Sequence, residues 1–189
     1  MTDSDVTTSQ AAAGEDPLVR SQRWLERAVI GLNLCPFAKS VHAKGQVRWV
    51  LSEAATPEAL LAALGEELLF LRDAPADVVD TTLIVHPRVL QDFLDYNDFL
   101  ETADALVESL GLDGVLQVAS FHPDYQFAGS ARDDVENFTN RSPYPTLHLL
   151  REDSVSRAVE AFPDPEVIVE RNVETLRRLG ADGWRELLG

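Results

Sequence analysis

The sequence predicts an α/β (or α+β) fold: one four-stranded mixed β-sheet covered by helices, with two helices at the C-terminal end. Three features carry that prediction. Short β-rich runs alternate with helical periodicities. Two of those runs end in the same dipeptide, His86-Pro87 and His122-Pro123. A long polar stretch, residues 122–144, separates the third run from the fourth. A helix between the second and third strands implies that those two run parallel. The fourth follows a loop with no evident helix, so it fits antiparallel to the third. A ferredoxin-like split β-α-β arrangement is the competing topology.

The elements follow in order. Residues 1–15 hold almost nothing to bury and read as a disordered acidic tail; residues 16–189 read as a single α/β domain. Asp16-Pro17 supplies an N-cap and a proline at the first helical position. Leu18, Leu25, Val29 and Leu32 then repeat at helical spacing, and Pro36 forces the helix to stop near Leu34. A short helix is expected from Pro36 through Phe37 and Ala38. Gln46 to Leu51 alternates as a strand. Thr56-Pro57 opens the next helix, with Leu60, Leu64, Leu68 and Leu71 as its apolar stripe. Thr81 to Val85 is a β-branched run, read as a buried strand. Phe93, Tyr96, Leu100, Ala103, Val107 and Leu110 mark a long amphipathic helix with Gly111 as its C-terminal cap. Val115 to Phe121 and Thr146 to Leu150 are the third and fourth strands. Val155, Ala158, Val159 and Phe162 mark a helix. Asp164-Pro165 opens another with Val169, Val173 and Leu176 on one face, and Asp182 caps a last turn bearing Trp184 and Leu187.

Composition narrows the functional classes. The 189 residues carry 32 Asp and Glu against 16 Lys and Arg, a formal charge of -16. That balance repels phosphate backbones and anionic bilayers, so neither nucleic acid nor membrane is an expected partner. The single cysteine, Cys35, forbids an intramolecular disulfide and fits a reducing compartment. With no apolar run long enough to span a bilayer and no secretion-type start, the expected location is cytoplasmic. Asn137-Phe-Thr139 and Asn140-Arg-Ser142 match the glycosylation pattern, which has no meaning without secretion. Dinucleotide-binding, phosphate-loop and serine-elbow motifs are all absent.

The two His-Pro ends focus the search for chemistry. Parallel strands bring their C-terminal ends to one sheet edge, where open α/β sheets bind ligands. His86 and His122 are therefore the candidate acid–base groups, with Cys35 as a candidate nucleophile should one of them lie beside it. The loop starting at that edge offers Asp124, Tyr125, Asn140, Arg141, Ser142 and Tyr144 as candidate substrate-binding residues. Arg141 can grip a carboxylate or phosphate through two parallel hydrogen bonds, so a small anionic molecule is the expected ligand. The plainer readings are a buried small cysteine, a salt-bridged Arg141 and strand-end histidines that only hold turns. His148, between Leu147 and Leu149, is expected to be structural. His86, His122 and Asp124 are chemically suited to zinc or iron, but the usual metal-ligand spacings are absent. No cofactor is identifiable, and no metal ligands are assigned.

Three stretches resemble a known family. Leu34-Cys35-Pro36-Phe37-Ala38, His122-Pro-Asp-Tyr125-Gln-Phe127, and Asn137-Phe-Thr-Asn-Arg141-Ser-Pro-Tyr-Pro145-Thr-Leu-His148-Leu-Leu-Arg151 are similar to the bacterial domain-of-unknown-function 1415 family. The similarity runs from about residue 17 to about residue 180 and implies a stand-alone bacterial protein. It implies no activity, cofactor or catalytic residue. Two functional expectations remain: a cytosolic enzyme acting on a small anionic metabolite with a His/Arg site, and Cys35 in reach, at one edge of the sheet; or a non-catalytic domain binding a metabolite or another protein. The sequence fixes no oligomeric state.

Overall fold

A computed structural model describes residues 15–161 and 165–188. The acidic tail up to residue 14, and Phe162 and Asp164 near the expected helix boundary, lie outside the described residues. The elements are α1 (Pro17–Trp24), a π-helical turn (Leu25–Ile30), α2 (Ala38–Ala43), β1 (Val47–Leu51), α3 (Pro57–Asp73), β2 (Thr81–Val85), α4 (Phe93–Ser109), β3 (Leu116–Phe121), a 3-10 helix (Val135–Asn140), β4 (Thr146–Arg151), α5 (Glu152–Ala161) and α6 (Pro165–Leu188).

The sheet order is β1-β2-β4-β3. β1 and β2 are parallel, and β4 is antiparallel to both β2 and β3. β1, β2 and β3 therefore all run the same way, as the crossovers through α3 and α4 require. The β2-α4-β3 crossover is split by β4, whereas the β1-α3-β2 crossover joins direct neighbours. β2 is buried at all five positions because both its faces are covered, which explains its unbroken Thr-Thr-Leu-Ile-Val run.

Alternation along the strands divides two cores. Ile84, Leu147, Leu149 and Leu116 face the leucine stripe of α3 and the Tyr96, Phe99, Ala103 and Val107 face of α4. Leu83 points to the opposite face, into a cluster with Trp24, Ala28, Val29, Leu176 and Trp184. Arg151, at the end of β4, donates to the carbonyls of Leu71 and Ala74 (2.7 Å each) and Val79 (3.0 Å), tying that strand to the end of α3.

Local signals account for most boundaries. The side chain of Asp16 accepts from the Leu18 amide and Thr56 from that of Ala59, each followed by proline. Asp92, unforeseen as a cap, accepts from the amides of Leu94 and Asp95. Two elements differ from expectation. The first helix gives way after Trp24 to a π turn, where Gly31 N–H donates to Glu26 O, five residues back. The wider turn helps place Leu25, Ala28 and Val29 together in the core. The loop after β3 contains the 3-10 helix. In keeping with a separate last turn at Asp182, the final helix breaks at Gly180 (φ 69°), because glycine enters that left-handed region without a steric penalty.

Candidate functional site

His86 and His122 do share one neighbourhood. They follow β2 and β3, on either side of the start of β4, where His86 N–H donates to Pro145 O and His122 N–H to Asn140 O. Between their rings lies Tyr96, with centroids 5.6 Å from His86 and 5.1 Å from His122. All three side chains are fully buried. Each imidazole holds the loop between β2 and α4: His86 Nδ1 meets Val89 O at 3.1 Å and His122 Nε2 meets Leu90 O at 3.2 Å. Between those two anchors Leu90 adopts a positive φ of 57°, costly for a branched side chain and sustained here by its surroundings.

The hydrogen bonds fix the ring states. His122 Nδ1 accepts from the Asp124 amide at 3.0 Å, so its proton is on Nε2 and both nitrogens are occupied. His86 must carry its proton on Nδ1, which leaves Nε2 a buried acceptor without a partner among the described residues. Burial holds His86 down to about 4, opposed by the Val89 bond and aided by the nearby His122. Burial likewise lowers His122, against the bond to Leu90 and the fields of Asp124 and Asp92. Both are neutral near pH 7. Tyr96 O–H donates to Thr146 O at 2.8 Å. Tyr96→Phe is expected to cost about 0.5–1.5 kcal/mol by removing that buried hydrogen bond, read as a lower urea midpoint with unchanged m-value.

The remaining sequence candidates are mostly engaged within the loop. Arg141 donates to Tyr125 O (3.2 Å) and Arg132 O (2.6 Å), its guanidinium 4.7 Å from the Phe138 ring. It braces carbonyls rather than pairing with a carboxylate. Asp124 pairs instead with Arg132 at 2.9 Å. Asn140 donates to Ser120 O, Ser142 to Tyr144 O, and the Tyr144 hydroxyl accepts from Arg20. The Tyr125 ring packs against Phe93 and Phe127. Among the described residues, no group of three or more His, Cys, Asp or Glu is placed to hold a metal ion.

Cys35 is on the other face of the sheet, at the junction of two hollows that share Val29, Cys35 and Phe121. The inner one, about 380 Å³, lies between the sheet, α1, α2 and α5. Its walls are apolar, with Trp24, Val41, Leu83, Phe121, Val155 and Ala158 prominent. Two polar groups in those walls lack partners. Trp24 is 1% exposed, and its indole Nε1–H donates to nothing among the described residues. His148 lines the same space, and its Nε2 is 2.8 Å from Thr81 Oγ1. Because Thr81 O–H donates to Leu149 O, His148 must donate from Nε2, leaving Nδ1 as a free acceptor. Desolvation holds His148 down to about 4, so it too is neutral.

The outer hollow is an open cleft of about 810 Å³ between α6 and the loop carrying Phe127–Ser130 and Asn140. Asn172, 7% exposed, lines it. Its Nδ2 donates to Leu34 O at 2.8 Å, while its Oδ1 has no partner among the described residues. Arg177 stands at the same cleft, exposed and without an ion pair among the described residues.

The sequence singled out Cys35 but not its company. The strand alternation that puts His148 on the face opposite Leu147 and Leu149 was readable; its convergence with Trp24 and Cys35 was not, because those come from distant segments. A family model described as Protein of unknown function (DUF1415) matches residues 18–186. No curated protein and no solved structure matches the chain.

Proposed function

The chain belongs to the DUF1415 family, and from that premise we propose that it is a small-molecule-binding protein whose ligand is mainly apolar and carries a hydrogen-bond acceptor, seated in the inner cavity. The observation that supports this most is the buried Trp24 N–H left unpaired in the wall of an apolar space. An orphaned buried donor costs about 1–3 kcal/mol, and a ligand carbonyl placed there removes that cost. The cavity volume, about 380 Å³, lies within the range of small-molecule sites, which are apolar hollows with a few convergent polar groups. The setting we propose is the bacterial cytoplasm, in keeping with one free cysteine; the charge of -16 argues against nucleic acid as a partner.

The enzymatic reading, with His86 or His122 moving a proton and Arg141 holding an anion, has weaker support. His122 would have to leave two backbone partners, and Arg141 two carbonyls, before either could serve a substrate. Cys35 lies across the sheet from both strand-end histidines.

Calorimetric titration with 2-decanone tests the proposal. Binding is expected to weaken at least tenfold in Ala158→Phe, which fills the cavity from α5. Trp24→Phe is expected to weaken it by up to about tenfold, the worth of one hydrogen bond. Equal binding by the wild type and Ala158→Phe, or no binding by either, would remove the inner cavity as the site.

A further inference from the structure

The inner cavity opens the question of what the outer cleft is for, and the two share a wall. Val29, Cys35 and Phe121 line both. A ligand filling the inner space thus has the Cys35 side as its boundary with the outer one. The chemistry changes across that boundary. Inside, the walls are mainly apolar, the one carboxylate, Asp80, accepts from Ser154, and the unpaired groups are uncharged. Outside, the cleft carries Arg177, whose guanidinium has no carboxylate or carbonyl partner among the described residues, together with Ser130, Thr139, Asn140 and one carboxylate, Glu136.

Asn172 adds an independent sign of a ligand. The residue is 93% buried (7% exposed), its amide nitrogen is committed to Leu34 O, and its carbonyl oxygen has no donor among the described residues. Asparagine at a helix surface ordinarily turns such an oxygen to water. Here the neighbouring residues enclose it, and an acceptor buried without a donor beside a cleft marks a place where an entering polar group gains a hydrogen bond. Arg177 is five positions further along α6 and lines the same cleft, so a cation and an acceptor border one space.

We infer that the ligand is an anionic amphiphile: an apolar body in the inner cavity, passing Cys35, with a carboxylate or phosphate head in the outer cleft at Arg177 and a hydroxyl or N–H in reach of Asn172. The inference rests on the inner cavity as the binding site and adds the ligand's charge and the direction in which it lies. Glu136 also lines this cleft, so an anionic head sits on the Arg177 side, where a short-range charge-assisted contact with the guanidinium outweighs the screened field of the chain's other carboxylates. It also shifts the anion-binding role from Arg141, which the loop's own carbonyls occupy, to a residue of α6.

Equal-chain probes separate head from tail: decanoate, decyl phosphate and 1-decanol, titrated into the full-length protein at pH 7.5. At least one anion is expected to bind ten times more tightly than 1-decanol or better, and whichever anion leads identifies the head group. Arg177→Gln is expected to abolish that advantage and leave 1-decanol unaffected. The lone thiol reports position, since a chain lying past Cys35 is expected to slow its alkylation by iodoacetamide at least fivefold at saturation. Equal affinities for the three probes, or an advantage untouched by Arg177→Gln, would overturn the inference, as would unchanged alkylation under saturating decanoate. Binding of 2-decanone that stays sensitive to Ala158→Phe would show that the inner cavity survives that failure; loss of every probe would remove both.

Discussion

Acidification from pH 7 to pH 4.5 is expected to destabilise the fold by several kcal/mol, through histidines rather than carboxylates. His86 and His148 are neutral in the folded protein, and burial holds both down to about 4. In the unfolded chain they titrate at about 6.5. Between those values the unfolded state binds more protons, so stability is complete above about pH 6.5 and drains away as pH falls toward 4. Each group then contributes on the order of 3 kcal/mol across the window. His122, lowered in the same direction, adds to the effect. Protonation of surface carboxylates relieves the repulsion of a net charge of -16 and works the other way.

Variants separate the contributions. His148→Gln keeps a donor toward Thr81 and His86→Asn keeps one toward Val89, and neither replacement can be protonated. Urea unfolding at several pH values is expected to give a curve flattened by about half in each variant. A wild-type stability that stays level from pH 6.5 to pH 4.5 would show that the imidazoles are not held neutral by burial.

The second large effect falls on the loop that follows β3. Asn137 is fully buried within the 3-10 helix and ties it to the preceding turn. Its Oδ1 accepts from Phe127 N–H (2.9 Å) and Ser130 O–H (2.8 Å), and its Nδ2 donates to Ala131 O (2.7 Å) and Arg132 O (3.3 Å). One side chain thus closes a segment with no strand partner. Asn137→Ala is expected to cost about 2–6 kcal/mol, since the four bonds are each worth about 0.5–1.5 kcal/mol net. Because the same loop walls the outer cleft, decanoate affinity is expected to fall with it. Tryptic cleavage after Arg132 should accelerate in step. Stability within 0.5 kcal/mol of wild type would mean that the loop is held by its aromatic packing and the Arg141 brace instead.

Much of the fold was legible because its signals are local. Asp16-Pro17 and Thr56-Pro57 announce helix starts through a capping oxygen and a preset φ, both set within a few residues. The leucine stripe of α3 and the β-branched run of β2 report burial through their periods. The parallel direction of β2 and β3 followed from the helix between them. The π turn was not legible, since Leu18 to Leu32 reads as an ordinary helical repeat and only core packing selects the wider turn. The 3-10 helix was hidden in a polar stretch whose order depends on Asn137, a residue that a glycosylation pattern made easy to dismiss.

The candidate site divides in the same way. That His86 and His122 meet at one sheet edge was deducible from topology. That each ring would be fully engaged or sealed behind Tyr96 was not, because hydrogen-bond occupancy and burial depend on which side chains arrive from elsewhere in the chain. Arg141 looked free because its partners are main-chain carbonyls, which leave no mark in a sequence.

By itself, the sequence determined an acidic, single-cysteine α/β chain with its helices, strands and strand directions nearly in place, since propensity, capping and periodicity act over a few residues. The tertiary structure alone decided that Cys35 meets Trp24, Phe121 and His148 around a cavity, and that Asn172 and Arg177 flank a cleft beside it. Those residues belong to segments far apart along the chain, and only the packing of α1, α2, α5 and α6 on one face of the sheet brings their side chains within reach of a common ligand.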